Sequence, residues 1–230
     1  MASLPQETQR QALVDIWPFA TLHHTGVGSF AFPFQTSARI LQSMKIGIMG
    51  AEGSFSEEAT RKYIENEILK DVEIVYLISA ERVLSALEEG HIDRGIFPIE
   101  NSNGGIVIEA VHAMAKHRFE VEKMFEIDVH QCLMVLPGTN PDQVQSITSH
   151  DQALKQCRMY LKRKWPGVEL SEYEDTAKAA LDVSQGVLSP NTAVIASRRA
   201  AELYSLEILE ESIQDLKFNY TSFVVATRLP

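Results

Sequence analysis

The chain has little cysteine and no long apolar run. Only Cys132 and Cys157 occur among 230 residues, and their wide spacing supports neither a disulfide framework nor a zinc site. No stretch of about eighteen consecutive apolar residues is present, which excludes a transmembrane helix. Because free cysteines are typical of a reducing compartment, we expect a cytoplasmic location.

Positive charge is also scarce. The chain has 21 lysine and arginine residues against 31 aspartate and glutamate residues, and its net charge is -10. Such an acidic balance argues against a surface that holds nucleic acid or anionic lipid. We therefore expect neither nucleic acid nor a membrane as a partner, and the small-molecule partner is implied only by the cleft and the resemblance described below.

The first 43 residues differ in composition from the rest of the chain. They contain only Glu7 and Asp15 as acidic residues, and residues 30–34 are aromatic without periodicity. A secretory signal is not indicated, because a basic start and an apolar run of about seven to fifteen residues are both missing. An organellar transit peptide stays open, but we expect a poorly ordered extension, 1–43, from a start codon upstream of Met44.

From Met44 onward, short apolar runs alternate with amphipathic stretches of helical length, which predicts an α/β layer architecture. The predicted strands are 45–50, 73–77, 93–98, 120–126, 131–136, 146–148, 168–171 and 192–196. The predicted helices are 57–69, 80–89, 106–117, 152–164 and one from Asp175, and mixed signals continue through 198–204, 208–213 and 222–227. This series predicts two βα subdomains, 44–129 with 198–230 and 130–197, with a ligand cleft between them.

Several polar loops lie at predicted strand ends. Residues 50–54 and 149–152 each join a strand to a helix, where free backbone N–H groups can bind an anion. The same spacing also fits ordinary turns in which Ser54, Ser149 and Asp175 cap helices. A lone histidine such as His150 is more often a capping or surface residue than a catalyst.

Five segments taken together resemble the prephenate dehydratase family, in the family's order from Met44 onward. They are Gly50-Ala51-Glu52-Gly53-Ser54-Phe55-Ser56, Pro98-Ile99-Glu100-Asn101-Ser102 with Gly104 and Gly105, Ser149-His150-Asp151-Gln152-Ala153-Leu154 with Gln156-Cys157, Asp175-Thr176-Ala177 with Ala179-Ala180, and Asn219-Tyr220-Thr221-Ser222-Phe223.

The resemblance implies a fold and a reaction. The fold would have two α/β subdomains and a cleft, like a small type II periplasmic binding protein, with chain crossings near His130 and near 197–199. The reaction would convert prephenate to phenylpyruvate in phenylalanine biosynthesis, with loss of water and carbon dioxide and without a metal or organic cofactor. The family also implies a homodimer or homotetramer.

The resemblance also implies site residues. Thr221 matches the threonine of the family's Thr-Arg-Phe motif and would donate to the departing hydroxyl, since threonine does not ionise near neutral pH. The implied substrate-binding residues are Ser54, Ser56, Asn101, Ser102, Ser149, His150, Gln152, Thr176, Ser222 and Phe223.

The main departure from the family is Ser222, which replaces the motif's arginine and supplies neither a charge nor a bidentate grip. Arg94, Arg199 or Arg228 would have to bring a positive charge to the cleft instead. An arogenate dehydratase, a prephenate decarboxylase that keeps the hydroxyl, and a non-catalytic binding module are the alternatives. No regulatory ACT domain is expected, because the chain stops seven residues after Phe223.

Overall fold

The computed structural model describes residues 43–229. Apart from Ser43, the predicted N-terminal extension lies outside these residues. The strands are β1 Met44–Ile48, β2 Val72–Tyr76, β3 Arg94–Asn101, β4 Gly105–Ile106, β5 Glu120–Asp128, β6 Cys132–Val135, β7 Ser146–Ser149, β8 Glu169–Glu172, β9 Thr192–Ala196, β10 Glu207–Glu210 and β11 Tyr220–Thr227. The helices are α1 Phe55–Asn66, α2 Ala80–Glu88, α3 Ile108–Lys116, α4 Asp151–Gln156, α5 Arg158–Lys164, α6 Thr176–Ser184 and α7 Arg198–Tyr204, with a short 3-10 turn at Pro141–Gln143. None of the helices described is long and apolar enough to cross a membrane.

The first sheet has the strand order β2-β1-β3-β11-β5, and β4 pairs with β3. Its strands β1, β2 and β3 are parallel, whereas β11 runs antiparallel to both β3 and β5. Alternate side chains point to opposite faces. Phe223 therefore packs with α1 through Tyr63, while Val224 packs with α2 and α3 through Leu84 and Ala110.

The second sheet has the strand order β10-β6-β9-β7-β8. Strand β7 is parallel to β8 and β9, and β6 is antiparallel to β9 and β10. The prediction that the chain returns to the first subdomain at residue 198 is wrong for residues 198–210. Because Ile208 and Leu209 pack on opposite sides of the second sheet, and Ala200 packs there too, residues 198–210 belong with that sheet.

Two segments connect the sheets, at 129–131 and 211–219. They run side by side, since Val129 N donates to Asn219 O at 2.8 Å and Ile213 N donates to Gln131 O at 3.0 Å. The chain thus passes between its two halves twice at one place. Side chains near this junction can contact both sheets.

The predicted helix over 152–164 is two helices. The chain breaks at Cys157, where φ is -106° and ψ is 10°. The carboxylate of Asp215 accepts hydrogen bonds of 2.7 Å from the backbone N–H groups of Met159 and Tyr160. Because these groups are bound by a side chain from the second connecting segment, the helix restarts as α5 instead of continuing.

Candidate functional site

Asn101 and Thr221 form the centre of a polar cluster at the junction of the two sheets. They are register partners at the end of β3 and the start of β11. The amide Nδ2 of Asn101 lies 2.9 Å from the Oγ1 of Thr221, whose residue is 9% exposed. Among residues 43–229, only Asn101 bonds this hydroxyl. Because the amide donates, the hydrogen of Thr221 is free to be donated elsewhere.

Backbone contacts fix the orientation of the Asn101 amide. Its Oδ1 accepts from the backbone N–H of Asn103 at 2.9 Å and of Gly104 at 2.7 Å. A backbone N–H can only donate, so the atom that faces it is the oxygen. The amide nitrogen of Asn101 must then face Thr221.

Asn219 is a fully buried hub of this cluster. Its Oδ1 accepts from Asn101 Nδ2 at 2.9 Å and from Asn103 Nδ2 at 3.1 Å. Its Nδ2 donates to the Val129 carbonyl at 3.1 Å and to Gln156 Oε1 at 3.0 Å. All four bonding positions of the amide are used, which ties both connecting segments to the loop after β3.

Helix α4 and the first connecting segment contribute glutamine side chains to the same cluster. Gln156 Nε2 donates to Asn101 Oδ1 at 3.3 Å, and Gln131 Nε2 donates to Gln156 Oε1 at 3.0 Å. Gln152 is also near, because a Cβ atom added to Gly104 would lie 3.4 Å from Gln152 Oε1. Helix α4 therefore faces the loop that carries Asn101.

The loop at residues 50–54 also contacts both halves of the chain. Ser54 caps α1 as predicted by accepting from Glu57 N at 3.3 Å, and the Gly53 N–H donates to Glu57 Oε2 at 2.6 Å. The hydroxyl of Ser197 donates to Gly53 O at 2.6 Å, and that of Tyr204 donates to Glu52 O at 2.9 Å. Gly53 has φ +85°, and a Cβ there would press on Ala200 at 3.3 Å, so glycine permits this close approach.

Glu57 is a fully buried carboxylate beneath this loop. Burial alone raises its pKa, but the Gly53 N–H and the guanidinium groups of Arg61 and Arg199 outweigh burial, so the net pKa lies below its ordinary value. Arg61 is 2.6 Å and Arg199 is 3.3 Å from the same carboxylate oxygen. Glu202 also lies 3.8 Å from Arg199, and the loop itself carries Glu52, so these carboxylates balance the two guanidinium groups.

Two further predicted residues lie at the edges of the central cluster. Ser102 is exposed, and its hydroxyl accepts from Tyr220 N at 3.0 Å. His150 is exposed and caps α4 through Nδ1, which accepts from Gln152 N at 3.3 Å. With Nδ1 as the acceptor, the hydrogen of a neutral His150 lies on Nε2.

Three predicted substrate-binding side chains do not face the central cluster. Ser149 is neither a helix cap nor exposed, because its buried hydroxyl donates to Ile195 O at 2.5 Å. Phe223 is 1% exposed in the core and stacks on Phe125 with ring centroids 5.7 Å apart. Ser222 lies on the face of β11 opposite Thr221, where its hydroxyl donates to Glu126 at 3.0 Å.

Ser54, Ser56 and Thr176 do not join the central cluster. The hydroxyl of Ser54 is used in capping α1, and Ser56 is buried next to Gly50, where an added Cβ would lie 3.4 Å from the Ser56 Cβ. Thr176 is the first residue of α6. It follows Asp175, which caps the helix as predicted by accepting from Lys178 N at 2.9 Å. In the part of the chain that is described, no hydrogen bond links these three hydroxyls to Thr221.

Of the three arginines expected to replace the family's arginine, two are remote from Thr221. Arg94 pairs with Thr227, which lies six residues along β11 from Thr221. At about 3.3 Å per residue along a strand, Arg94 is roughly 20 Å from Thr221. Its guanidinium binds Glu122 at 2.7 Å, and Arg228 follows Thr227. Only Arg199 lies beside a predicted site loop, where it is held by Glu57.

Both cysteine thiols are buried and free. Burial raises the pKa of the Cys132 thiol to about 11 and raises that of Cys157 further. Both therefore stay protonated at neutral pH. A thiolate nucleophile is not available from either.

Sequence reasoning assigned no role to Gln131, Gln156 or Asn219. Gln156 and Asn219 lie within the family-like segments, which was a usable signal for both. Gln131 lies outside those segments, and its role follows only from the packing of the two connecting segments.

Two α/β halves, joined by two adjacent segments and lined by polar side chains at the junction, define a two-lobed ligand-binding fold of the periplasmic-binding-protein kind. Residues 46–229 match the family model described as prephenate dehydratase, and the chain belongs to that family.

Individual relatives agree with this assignment. The chain is 35% identical to arogenate dehydratase 1 of Petunia hybrida over 82% of this chain and 43% of the relative. It is 31% identical to the bifunctional chorismate mutase/prephenate dehydratase of Pseudomonas aeruginosa, over 80% of this chain and 48% of the relative. The solved prephenate dehydratase of Arthrobacter aurescens, in complex with L-Phe, superposes with a TM-score of 0.73 at 22% identity, over 81% of this chain and 61% of that one. The chain thus spans less than half the length of these two curated relatives.

Proposed function

We propose that this chain dehydrates and decarboxylates prephenate to phenylpyruvate. The observation that carries the proposal is the Thr221 hydroxyl, which accepts from Asn101 at 2.9 Å and keeps its own hydrogen free. Family membership of residues 46–229 supports the same activity.

The reaction asks the protein for a hydrogen-bond donor more than for a strong acid. The carbon–carbon bond to the departing carboxylate breaks and its electron pair enters the ring, while the ring carbon–oxygen bond breaks and the oxygen takes up a proton to leave as water. Hydroxide is a poor leaving group unless a donor stabilises the charge on its oxygen. Thr221 would supply that donor from a largely buried position.

A second requirement is positive charge for the two substrate carboxylates. The loop at residues 50–54 opens α1, whose N-terminus favours anions, and the guanidinium groups of Arg61 and Arg199 lie next to it on Glu57. We assign one substrate carboxylate to this loop.

Arogenate is the second candidate substrate, because a relative at 35% identity is named an arogenate dehydratase. Arogenate differs from prephenate in carrying an amino group instead of a keto group. Decarboxylation alone and binding without chemistry are less favoured, since both would leave the oriented hydroxyl of Thr221 without a use.

The test is turnover of the purified full chain with prephenate and with arogenate, followed by product absorbance in alkali and by mass. Wild type should give phenylpyruvate from prephenate, and Thr221→Ala should lower kcat by about 100-fold or more, the usual contribution of such a donor. Thr221→Ser keeps the hydroxyl and should retain most activity.

Thr227→Ala, at the other end of the same strand, is the matched control and should behave as wild type. A non-aromatic product would overturn the proposal in favour of decarboxylation alone. Saturable binding without any product would overturn it in favour of a binding module.

Cytoplasmic location, independence of cofactors and assembly as a homodimer or homotetramer remain predictions from the sequence. Size measurement in solution tests the assembly, and activity after dialysis against a chelator tests the metal requirement.

A further inference from the structure

Three amide side chains form a continuous series that ends on Thr221. Gln131 Nε2 donates to Gln156 Oε1 at 3.0 Å, Gln156 Nε2 donates to Asn101 Oδ1 at 3.3 Å, and Asn101 Nδ2 donates to Thr221 Oγ1 at 2.9 Å. We call Gln131, Gln156 and Asn101 the amide chain. It begins in the first connecting segment, passes through α4 on the second sheet and ends on the first sheet.

The direction of the amide chain is set by backbone groups outside it. Two backbone N–H groups fix Asn101 Oδ1 as an oxygen, so Gln156 must present its nitrogen there. The opposite atom of Gln156 is then an oxygen, which receives Asn219 Nδ2 at 3.0 Å; the Val129 carbonyl in turn fixes that nitrogen. Every donor in the amide chain therefore points toward Thr221.

This direction leaves one atom of Gln131 without a hydrogen-bond partner. Once its nitrogen is turned toward Gln156, its Oε1 is left without a hydrogen-bond partner, and the residue is only 3% exposed. No other buried side-chain polar atom in residues 43–229 lacks a partner. A buried orphan acceptor destabilises the folded state. A purely structural role would be better served by an apolar side chain of the same size.

We infer that Gln131 is a positioning residue for the reaction, which acts through Gln156 and Asn101 to orient and polarise the Thr221 hydroxyl. Each donated hydrogen bond strengthens the next in such a series, so the final hydroxyl becomes a better donor. The inference rests on the proposed role of Thr221 as the donor to the leaving oxygen.

Gln131→Met tests this role because methionine has a similar size and neither donates nor keeps the orphan oxygen. Gln156 Oε1 would still receive Asn219 Nδ2, so no new orphan arises there. We expect kcat for phenylpyruvate formation to fall about two- to tenfold, the worth of one hydrogen bond, with KM unchanged. The melting temperature should be unchanged or higher, which a structural role would not give.

Gln214→Met is the matched control. Gln214 lies in the second connecting segment, and its Oε1 accepts from the Gln131 backbone N–H at 3.1 Å, so the change removes a hydrogen bond to residue 131 but leaves the side-chain hydrogen bonds of the amide chain in place. We expect wild-type kcat in this control. In a Gln156→Met background, Gln131→Met should lower kcat no further, because the hydrogen bonds that connect residue 131 to Thr221 are already absent.

The outcomes separate the two ideas. Equal kcat losses in Gln131→Met and Gln214→Met, or an unchanged kcat in Gln131→Met when Thr221→Ala is inactive, would overturn the positioning role alone. An unchanged kcat in Thr221→Ala would overturn the proposed donor and the positioning role together.

Discussion

At the scale of single residues, the two sides of β11 have separate tasks. The Thr221 hydroxyl accepts from the amide of Asn101, whereas Ser222 lies on the opposite face of the strand and binds Glu126. Ser222 is flanked by two register partners, Glu100 on β3 and Glu126 on β5, and both are exposed acids. The position that carries arginine in the family is thus bordered by two carboxylates on the side away from Thr221.

This environment predicts the effect of Ser222→Arg. The new guanidinium would pair with Glu100 and Glu126 across neighbouring strands and raise the free energy of unfolding by about 0.2–1 kcal/mol. The KM for prephenate should stay within about twofold of wild type, since the side chain points away from Thr221. Urea unfolding and steady-state kinetics provide the two measurements. A KM drop of tenfold or more would show that arginine at this position reaches the substrate.

The motif residues of the site could be found from the sequence, because Asn101 and Thr221 each lie in a family-like segment. The facing of side chains could not be found in the same way. Other residues of the family-like segments lie elsewhere. The Ser149 hydroxyl binds the neighbouring strand β9, the Ser222 hydroxyl points to the opposite face of β11, and the Phe223 ring is in the core. A motif gives the neighbourhood of a residue, but strand alternation and packing decide what it contacts.

At the scale of elements, local periodicity placed most strands and helices. The predicted strand at 192–196 coincides with β9, and the predicted helix at 80–89 differs from α2 by one residue. The helix over 152–164 was predicted in one piece because its break depends on Asp215, which is more than fifty residues away. The membership of β10 in the second sheet likewise follows from pairing with β6, which has no local signal.

The Asp215 contact gives a prediction for α5. Asp215→Ala removes the acceptor of two backbone N–H groups at the start of this helix, which should lower the free energy of unfolding by about 0.5–2 kcal/mol. Chemical denaturation followed by circular dichroism measures the change. The exposed Asp142→Ala serves as the control and should cost less, because the Asp142 side chain accepts no hydrogen bond among the described residues. Equal losses would contradict the capping role of Asp215.

At the scale of the whole molecule, Glu57 on α1 links the two halves through its ion pair with Arg199 on α7, and it also binds Arg61 on its own helix. Because its folded pKa is lowered, the folded state binds this proton less readily than the unfolded state does. The stability that Glu57 contributes is therefore present above the ordinary value of 4.5 and is lost as the pH falls through its lower folded pKa. Acid should loosen this link between the halves.

The prediction is that Glu57→Gln lowers the melting temperature at pH 7 and flattens its decline below pH 4.5, where the wild-type carboxylate takes up its proton. Melting curves between pH 3 and pH 7, about the range that carboxylates titrate, measure this difference. Glu65→Gln, an exposed residue of the same helix, is the control and should follow the wild-type curve. Parallel curves for wild type and Glu57→Gln would contradict the assignment.

Two residues of the second connecting segment, only four positions apart, bind different parts of the molecule. Asp215 binds the start of α5, and Asn219 binds Asn101 at the loop after β3. One inserted residue would shift Asn219 by up to about 3.3 Å, which exceeds the tolerance of its hydrogen bonds. Residues 216–218 are exposed and have the appearance of a surface loop, where length changes are ordinarily accepted during evolution. Here natural selection should reject insertions and deletions while leaving the identity of the intervening side chains free to drift.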